Sequence, residues 1–391
     1  MSGASDPTER RAWIALASAP GVGDITFDHL LEAFGSAAAA LDRVTTLRLR
    51  DADRETTSHT GMRLRPGVAA AIRIAAASRG EAERRMAALG GWTLTPLDVD
   101  YPARLLELER PPAVLFGLGD RAELIVARSV AVVGTRRPSG AGRDLASRIG
   151  ARLAEVGTTL VSGLAMGIDG AAHAAALEMD GRTVAVVGGG LDAPGPAVHR
   201  RLAQAIRAHG AIVSELAPGV RPTRGTFPRR NRIISALSVA TVVVEAPARS
   251  GALITARHAL EQGRMLLVAP GRPLDPRVAG CLSLLRESPA RPLVGLDEMV
   301  TDLGLDGPGA GASDVGAPRP SPDSALASLG PVERSVAMAL RAGPQTVDAL
   351  VRACDLEAGV VAGALTMLQL RGWARVLGAM QLPAGPLLQV E

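Results

Sequence analysis

The stretch Ser129-Val-Ala-Val-Val-Gly-Thr-Arg-Arg-Pro-Ser-Gly-Ala-Gly142 decides the fold, because a continuous apolar run passes through a short polar loop into a helix start. An unbroken aliphatic run predicts a strand buried on both faces. Similar runs recur downstream, and the gaps between them suit helices. The further predicted strands are Thr159–Ser162, Thr183–Val187, Ile212–Ser214, Val239–Val244 and Met265–Val268. The pattern predicts a doubly wound α/β domain with a parallel sheet.

Open α/β sheets bind ligands at the carboxyl ends of their strands, so the loops after these runs are the candidate site. The first loop begins at Gly134 and lacks the Gly-x-Gly-x-x-Gly spacing of a dinucleotide site. It places Thr135, Arg136 and Ser139 at a helix N-terminus, where backbone amides and the helix dipole favour an anion. A phosphate therefore fits this loop better than a nicotinamide cofactor.

The second loop runs from Ser162 to Gly170 and is built from small residues. Gly163 and Gly167 would let the backbone approach a ligand closely, and Ser162 could donate a hydrogen bond to it. Asp169 and His173 stand four residues apart on one helix face, as in an acid/base pair or half of a metal site. We expect a structural role instead, in which Asp169 caps the helix and His173 bonds to it.

The later loops repeat the same chemistry. The run 188–193 formally matches Gly-x-Gly-x-x-Ala, but Pro194 and Pro196 delay the following helix, so a cofactor site is not supported. After the fifth predicted strand (Val239–Val244), Ser250, Gly251 and Thr255 stand at another helix start. Glycine, hydroxyl and arginine groups at successive strand ends predict an extended phosphate-binding surface. Nothing in these loops resembles an activated nucleophile, so we predict no catalytic residue.

The segment Phe227–Ser235 contains Asn231, the single asparagine of the chain. From Arg221 to Arg232 there are five arginines in twelve residues and no acid. Guanidinium groups suit phosphates, and the Phe227 ring offers a face on which a nucleic-acid base can stack. The alternative is a solvated basic loop in which Asn231 caps a helix beginning near Ile233. The candidate binding residues of this segment are Phe227, Arg229, Arg230, Asn231 and Arg232.

Composition sets looser limits. All 43 basic residues are arginine and there are 39 acids, so the formal charge of +4 argues only weakly for nucleic acid. At 391 residues and 47% hydrophobic, the chain is expected to form two or three domains. Cys281 and Cys354 stand in no zinc or CxxC spacing, which favours a reducing compartment and no structural metal. With no signal peptide and no apolar run of membrane-spanning length, we expect a soluble, cytoplasmic protein that contacts no membrane.

The flanks predict separate small domains. Residues 1–100 read as a helical domain, whose turn Pro20-Gly-Val-Gly23 resembles a helix-hairpin-helix that could hold a DNA phosphate or could simply be a tight connector. Residues 304–329 read as a flexible linker. Residues 330–391 predict three short helices and a hairpin, which together make a winged helix. Because this winged helix carries few basic residues, it could contact either DNA or protein.

Taken together, the strand-end motifs closely resemble the DNA-processing protein A family (DprA, also called Smf), from about Tyr101 to Val300. The resemblance implies an extended Rossmann-like domain over residues 101–303 that binds single-stranded DNA, forms a homodimer and helps load the RecA recombinase in natural transformation, with no cofactor. The motifs are Gly134-Thr-Arg136, Ser162-Gly-Leu-Ala-Met-Gly-Ile-Asp169 with His173, Ser214-Glu215, Phe227-Pro-Arg-Arg-Asn-Arg-Ile-Ile234, Val244-Glu-Ala246, Ser250-Gly-Ala-Leu-Ile-Thr-Ala256 and Pro270-Gly271.

Carried over by position, the family's DNA pocket corresponds to Arg136, Ser162, Gly163, Phe227, Arg230, Asn231 and Arg232. We therefore expect Arg136→Ala and Arg230→Ala each to remove a phosphate contact and to leave the fold intact. The chain departs from the family at 195–199, where Gly195-Pro-Ala-Val-His199 stands in place of Tyr-Pro-x-x-Asn and a basic residue. Arg200 and Arg201 lie close enough in sequence to substitute for the missing basic residue.

A rival interpretation is a Rossmann-type enzyme that hydrolyses nucleoside phosphates, with Glu215 or Glu245 as the catalytic acid. That group carries a Pro-Gly-Gly-x-Gly-Thr loop, whereas this chain continues Pro270-Gly-Arg-Pro273. The missing motif favours the non-enzymatic interpretation.

Overall fold

The computed structural model describes residues 6–46, 64–126, 128–306, 326–327, 329–377, 379–384 and 387. The chain divides into two compact units, which are described separately. The first contains Met1–Arg85, Leu94–Val114 and Asp314–Glu391, and the second contains Met86–Thr93 and Leu115–Ser313.

The N-terminal part of the first unit is helical, as the sequence predicts. Gly35 adopts a left-handed conformation (φ 77°) that ends one helix before the next begins. Trp13 packs edge-on against Phe27, with ring centroids 5.0 Å apart, in the buried core of these helices. The helices are α1 (Pro7–Ser18), α2 (Asp24–Phe34), α3 (Ala37–Thr46), α4 (Pro66–Ala77), α5 (Glu81–Ala88) and the short α6 (Ala103–Leu106).

Nine strands of the described chain form one sheet in the order β1-β2-β6-β5-β4-β3-β7-β8-β9. All six predicted strands are present, and the predicted doubly wound α/β architecture is confirmed. The sequence analysis missed β1, β2 and β9. The strands are β1 (Gly91–Leu94), β2 (Leu115–Gly119), β3 (Ser129–Val133), β4 (Thr159–Ser162), β5 (Thr183–Val186), β6 (Gly210–Ser214), β7 (Ala240–Val243), β8 (Met265–Val268) and β9 (Arg291–Pro292).

The sheet is mostly rather than wholly parallel. β3 pairs in parallel with both β4 and β7, whereas β2 runs antiparallel to β6, with Phe116 opposite Ser214. An antiparallel strand toward the edge of such a sheet is common, because it needs no crossover helix. β1 also joins this sheet, although it precedes residue 101, where the predicted domain begins.

The connections out of β3 and β7 run to opposite sides of the sheet, so the switch point of the doubly wound fold lies between these two strands. Ligands of open α/β sheets bind outside the carboxyl ends of the strands at this point. Both faces of the sheet are covered by helices, and Val130, Ile149 and Val242 are among its fully buried core residues. The helices are α7 (Gly140–Glu155), α8 (Ile168–Glu178), α9 (Arg200–His209), α10 (Thr226–Ala236), α11 (Ala252–Glu261), α12 (Ala279–Glu287) and α13 (Leu296–Asp302).

The C-terminal part of the first unit is a winged helix, as the sequence predicts. Its three strands form an antiparallel sheet in the order β10-β12-β11. Most of the predicted linker, residues 307–325, lies outside the described residues. The elements are α14 (Pro331–Arg341), β10 (Gln345–Thr346), α15 (Val347–Cys354), α16 (Ala358–Leu370), β11 (Ala374–Leu377) and β12 (Met380–Pro383).

No single helix in the described ranges is long and apolar enough to cross a membrane, and the bent pair α15 and α16 meets that test only by combined length and composition.

Candidate nucleic-acid interface

A cavity of about 540 Å³ lies at the switch point, between the loops that follow β3 and β7 and the start of α10. We call it the first cavity. It brings together residues that are up to 122 positions apart in sequence, Val133 and Thr255. Eight of the predicted site residues line it: Gly134, Arg136, Phe227, Arg230, Asn231, Ser250, Gly251 and Thr255.

Arg136 and Phe227 form the exposed part of this wall. The Arg136 side chain is exposed, and its guanidinium carbon lies 5.0 Å from the centroid of the half-buried Phe227 ring. A cation over an aromatic face is attractive, and the pair offers both a phosphate ligand and a stacking surface. The same two residues also line a smaller cavity of about 180 Å³, together with Gly163 and Leu164. We call this the side cavity.

Arg230 differs from Arg136, because its side chain is buried. Its Nη1 atom donates 2.8 Å to the carbonyl oxygen of Gly163 and also donates to that of Val186. Burial lowers the pKa of Arg230 to about 10, with nearby Asp169 opposing that shift and Arg136 adding to it. The guanidinium remains charged at neutral pH and ties the loop after β4 to the end of β5.

These buried contacts argue against the expectation that Arg230→Ala leaves the fold intact. The substitution would leave two buried carbonyl groups without their donor, and each such loss costs about 1–3 kcal/mol. Gly163 lies against this guanidinium, since a β-carbon there would stand 2.5 Å from Nη1. A side chain at 163 would therefore displace the arginine beneath it.

Asn231 lies in the middle of α10, which begins at Thr226, so the alternative in which it caps a helix beginning near Ile233 is wrong. Its Nδ2 atom donates 3.2 Å to the carbonyl oxygen of Gly251, just before α11. The amide thus connects two walls of the first cavity.

Arg229 and Arg232 do not line the first cavity; both contact Glu215. The Arg229 Nε atom lies 3.1 Å from one carboxylate oxygen, and Arg232 donates 2.7 Å to the other. The Glu215 side chain is only 5% exposed. The two arginines neutralise a buried carboxylate at the base of α10.

Asp169 does not cap its helix, contrary to the sequence expectation. The capping position of α8 is Gly167, and the Asp169 Oδ2 atom accepts the backbone N–H groups of Gly163 (3.1 Å) and Ala165 (3.4 Å). The loop folds back over the first turn of the helix, which brings its amides to the carboxylate. Burial raises the pKa of Asp169, and the charge of Arg230 opposes that rise.

His173 bonds to Thr183 rather than to Asp169, so that expectation was also wrong. Its Nδ1 atom lies 2.6 Å from the Thr183 hydroxyl, which itself donates to the carbonyl oxygen of Leu160. The hydroxyl proton is thus committed, so Nδ1 must be the donor and Nε2 carries no proton. Burial lowers the pKa of His173 to about 3, with His199 and Arg230 adding to the effect. His173 is a neutral core residue.

The start of α7 is occupied from within the protein. The backbone N–H of Ser139 donates 3.0 Å to Glu245 Oε1, and its hydroxyl donates 2.5 Å to Oε2. The same hydroxyl accepts the N–H of Gly142, so the helix start that the sequence suggested for a phosphate holds an internal carboxylate. The first amides of α11 are also bonded within the protein: Ala252 N–H donates to the Ser250 hydroxyl, and the N–H groups of Leu253 and Ile254 donate to the carbonyl oxygens of Ser250 and Gly251. The loop before α11 therefore contributes side chains rather than free amides to the first cavity.

The remaining predicted loop residues allow neighbouring segments of the loops to pack closely together. Gly167 has φ 88°, and a β-carbon there would stand 2.4 Å from the Thr135 carbonyl oxygen. A β-carbon on Gly134 would stand 2.5 Å from Ile168 Cγ1. The buried Ser162 hydroxyl donates 2.6 Å to the carbonyl oxygen of Val132 rather than facing a cavity. These residues shape the loops that carry Arg136.

The segment 195–199, where the sequence departs from the family pattern, lines the side cavity through Gly195 and Pro196. His199 Nδ1 lies 3.1 Å from the carbonyl oxygen of Leu164, whose left-handed conformation (φ 55°) it helps to hold. The sequence analysis missed this contact, because no local pattern links residues 35 positions apart. Arg200 and Arg201 are exposed at the start of α9 and line neither cavity.

A doubly wound sheet with an arginine and an aromatic ring over a cavity at its switch point defines a Rossmann-like protein suited to nucleic-acid phosphates. The family described as DNA recombination-mediator protein A matches residues 92–304. The DprA winged helix domain matches residues 320–380, and the DprA-like N-terminal HHH domain matches residues 7–61. The chain belongs to the DprA family.

Individual relatives agree with this assignment. A putative DNA processing protein DprA of Mycobacterium tuberculosis is 38% identical over 382 residues, which are 94% of this chain and 92% of the relative. The X-ray structure of DprA from Streptococcus pneumoniae superposes with a TM-score of 0.56 at 30% identity, covering 72% of this chain and 98% of that one. A DprA structure from Helicobacter pylori, described as showing a single-stranded DNA binding mode, gives a TM-score of 0.50 at 30% identity, covering 55% and 95%.

Proposed function

We propose that this protein binds single-stranded DNA in the first cavity. The observation that carries the proposal is the exposed Arg136 guanidinium over the Phe227 ring, at the mouth of that cavity. A strand without a partner exposes both its phosphates and the faces of its bases, and this pair can bind one of each. In a duplex the base faces are stacked and out of reach, so single strands are preferred.

The loop before α11 supports the same role. The exposed Arg249 lines the first cavity beside Ser250 and Gly251, which gives a second place for a phosphate. Arginines contact phosphates without reading base identity. The site therefore suits binding that depends little on sequence.

The wider role that we propose follows from membership of the family. The protein would act in the cytoplasm as a mediator that protects incoming single strands and helps load the RecA recombinase in transformation or recombination. We propose that it acts as a homodimer through its α/β domain, since two cavities on one strand raise the apparent affinity by effective concentration. Light scattering of the full chain across a dilution series should give the mass of a dimer; the mass of a monomer at all concentrations would refute this part.

We propose a non-enzymatic role, and the contacts of the two candidate acids support it. Glu215 is paired with two arginines, and Glu245 accepts hydrogen bonds from the backbone and the hydroxyl of Ser139. A general acid or base must be free to reach the reacting group. Incubating the pure protein with nucleoside phosphates and assaying for released base or phosphate should give no product above a no-protein control, and steady turnover would establish the hydrolase alternative.

The direct test of binding is a titration of labelled single-stranded and duplex oligonucleotides at two salt concentrations. Single strands should bind more tightly, with little difference between base compositions, and binding should weaken steeply with salt as counterions are released. Equal or tighter binding of duplex would overturn the proposed function.

A further inference from the structure

A second cavity of about 670 Å³ lies at the carboxyl ends of β3, β7 and β8. It shares no lining residue with the first cavity, although loops from both sides of the same switch point contribute to the two. Nothing in the role proposed above uses it. Its basic lining residues are Arg148, Arg272 and Arg277, and its acidic ones are Glu245 and Asp275.

Both acids of the second cavity are already engaged. Glu245 accepts two hydrogen bonds from Ser139, as described above. Asp275 is bound in a fork by Arg277, with donor distances of 3.0 and 2.8 Å, and this pairing lowers the pKa of Asp275. Both carboxylates therefore have bonded partners other than Arg148 and Arg272.

Arg148 and Arg272 are the two basic side chains of this cavity without a hydrogen bond. Both side chains are exposed, and in the described part of the chain neither guanidinium makes a hydrogen bond or a close ion pair, although the charge of Arg272 contributes to the lowered pKa of Asp275. Arg148 comes from α7 and Arg272 from the loop after β8, so the fold brings them to one cavity from 124 positions apart. Two guanidiniums with free donors on one cavity favour a ligand with a negative charge.

Apart from Ser139, the remaining side chains of the wall are apolar. Leu145, Val278 and Leu293 line it, and Val294, which is 72% exposed, stands at its edge. An inorganic anion would gain nothing from such a wall, whereas a ligand with a phosphate and a flat apolar ring system would contact both parts. A nucleotide has this composition.

We propose that the second cavity is a nucleotide-binding site, with the phosphate at Arg148 and Arg272 and the base against the apolar wall. The nucleotide comes either from the strand that occupies the first cavity, in which case the inference rests on the proposed function, or from a free nucleoside phosphate. The two sources share one chemistry and differ in what competes for the site.

The test uses the full chain with Arg148→Gln and Arg272→Gln combined. The control combines Arg11→Gln and Arg43→Gln, which remove the same charge from exposed positions on α1 and α3. Three ligands are compared: an oligonucleotide of about 5 nucleotides, one of about 20, which bracket the usual footprint of a single-strand site, and free dTMP observed by saturation-transfer NMR.

If the strand supplies the nucleotide, the double variant should bind the long oligonucleotide about tenfold more weakly than the control does. The slope of log K against log salt for that oligonucleotide should fall by about 1–2. The short oligonucleotide should bind to the double variant as tightly as to the control. If the source is free nucleotide, the dTMP signal should be seen with wild type and with Phe227→Ala and be lost in the double variant alone. A double variant that matches the control with all three ligands would overturn the proposal. Failure of the proposed function would appear differently, as wild type that binds neither oligonucleotide, and the dTMP comparison would then decide the site.

Discussion

The Arg230 guanidinium lies directly against Gly163, so closely that a β-carbon on that glycine would stand 2.5 Å from its Nη1 atom. Arg136, which also lines the first cavity, is exposed and lies over Phe227. The two side chains carry the same charge but hold different places, one beneath the loop after β4 and one at the mouth of the first cavity. Their substitution should have different consequences.

Arg230→Ala should lower the free energy of unfolding by about 2–4 kcal/mol, because the carbonyl groups of Gly163 and Val186 lose their buried donor. Arg136→Ala should change it by less than about 0.5 kcal/mol, since its side chain is exposed. Urea unfolding of both variants measures the difference. Equal stability of the two would show that the Arg230 contacts do not support the fold.

Phe227→Leu should weaken single-strand binding by about 1–3 kcal/mol, because an aliphatic side chain fills space but offers no face for stacking. Phe227→Tyr keeps the ring and should bind within about twofold of wild type. Anisotropy titrations of the two variants with the same oligonucleotide provide the comparison. Retained affinity in Phe227→Leu would remove the ring from the site.

Gly167→Ala should destabilise the protein and weaken DNA binding together, because the new methyl group would meet the Thr135 carbonyl oxygen at 2.4 Å in a left-handed conformation. Gly140→Ala is the matched control, since its β-carbon would find no heavy atom within 4 Å and Gly140 lines neither the first nor the second cavity. Thermal unfolding should separate the pair by several degrees. A Gly167→Ala variant as stable as the control would contradict the packing described here.

His173 should make the protein less stable as the pH falls from about 6.5 toward 3. The unfolded chain takes up a proton near the ordinary pKa of 6.5, whereas burial holds the folded pKa at about 3, so the unfolded state binds more protons in that window. The loss between pH 6.5 and 5 is about 2 kcal/mol from this group. Asp169 acts in the opposite sense, because its raised pKa favours the fold at lower pH.

The His173 contribution is therefore measured as a difference. Urea unfolding at pH 7 and pH 5 should show a smaller loss in His173→Gln than in wild type, whereas the exposed His209→Gln should behave like wild type. An identical pH dependence in wild type and His173→Gln would mean that His173 takes up its proton normally in the fold.

The sequence predicted the parallel core of the sheet well, since buried central strands are continuous aliphatic runs that need no partner information. It missed β1 and β2, which contain glycines at Gly91, Gly117 and Gly119. Trp92 packs on Gly117, where a β-carbon would come within 2.1 Å of its ring, so those glycines follow from a contact between strands. Such a contact leaves no periodic pattern in the sequence.

The candidate site was predictable as a set of loops, because the carboxyl ends of parallel strands meet at one edge. The roles of individual side chains could not be predicted from the sequence. Whether an arginine faces solvent, as Arg136 does, or carbonyl oxygens, as Arg230 does, depends on loop conformation. The i,i+4 spacing of Asp169 and His173 likewise could not show that each would bond to a different segment.

The most direct test of the account is the salt dependence of single-strand binding in wild type and in Arg136→Gln, which removes one exposed charge at the first cavity. We predict weaker binding by Arg136→Gln at low salt and a slope of log K against log salt reduced by about 0.7, the value for one phosphate contact on a single strand. Thermal unfolding should be unchanged. A variant that binds single-stranded DNA with the affinity and the salt slope of wild type would contradict the assignment of the first cavity.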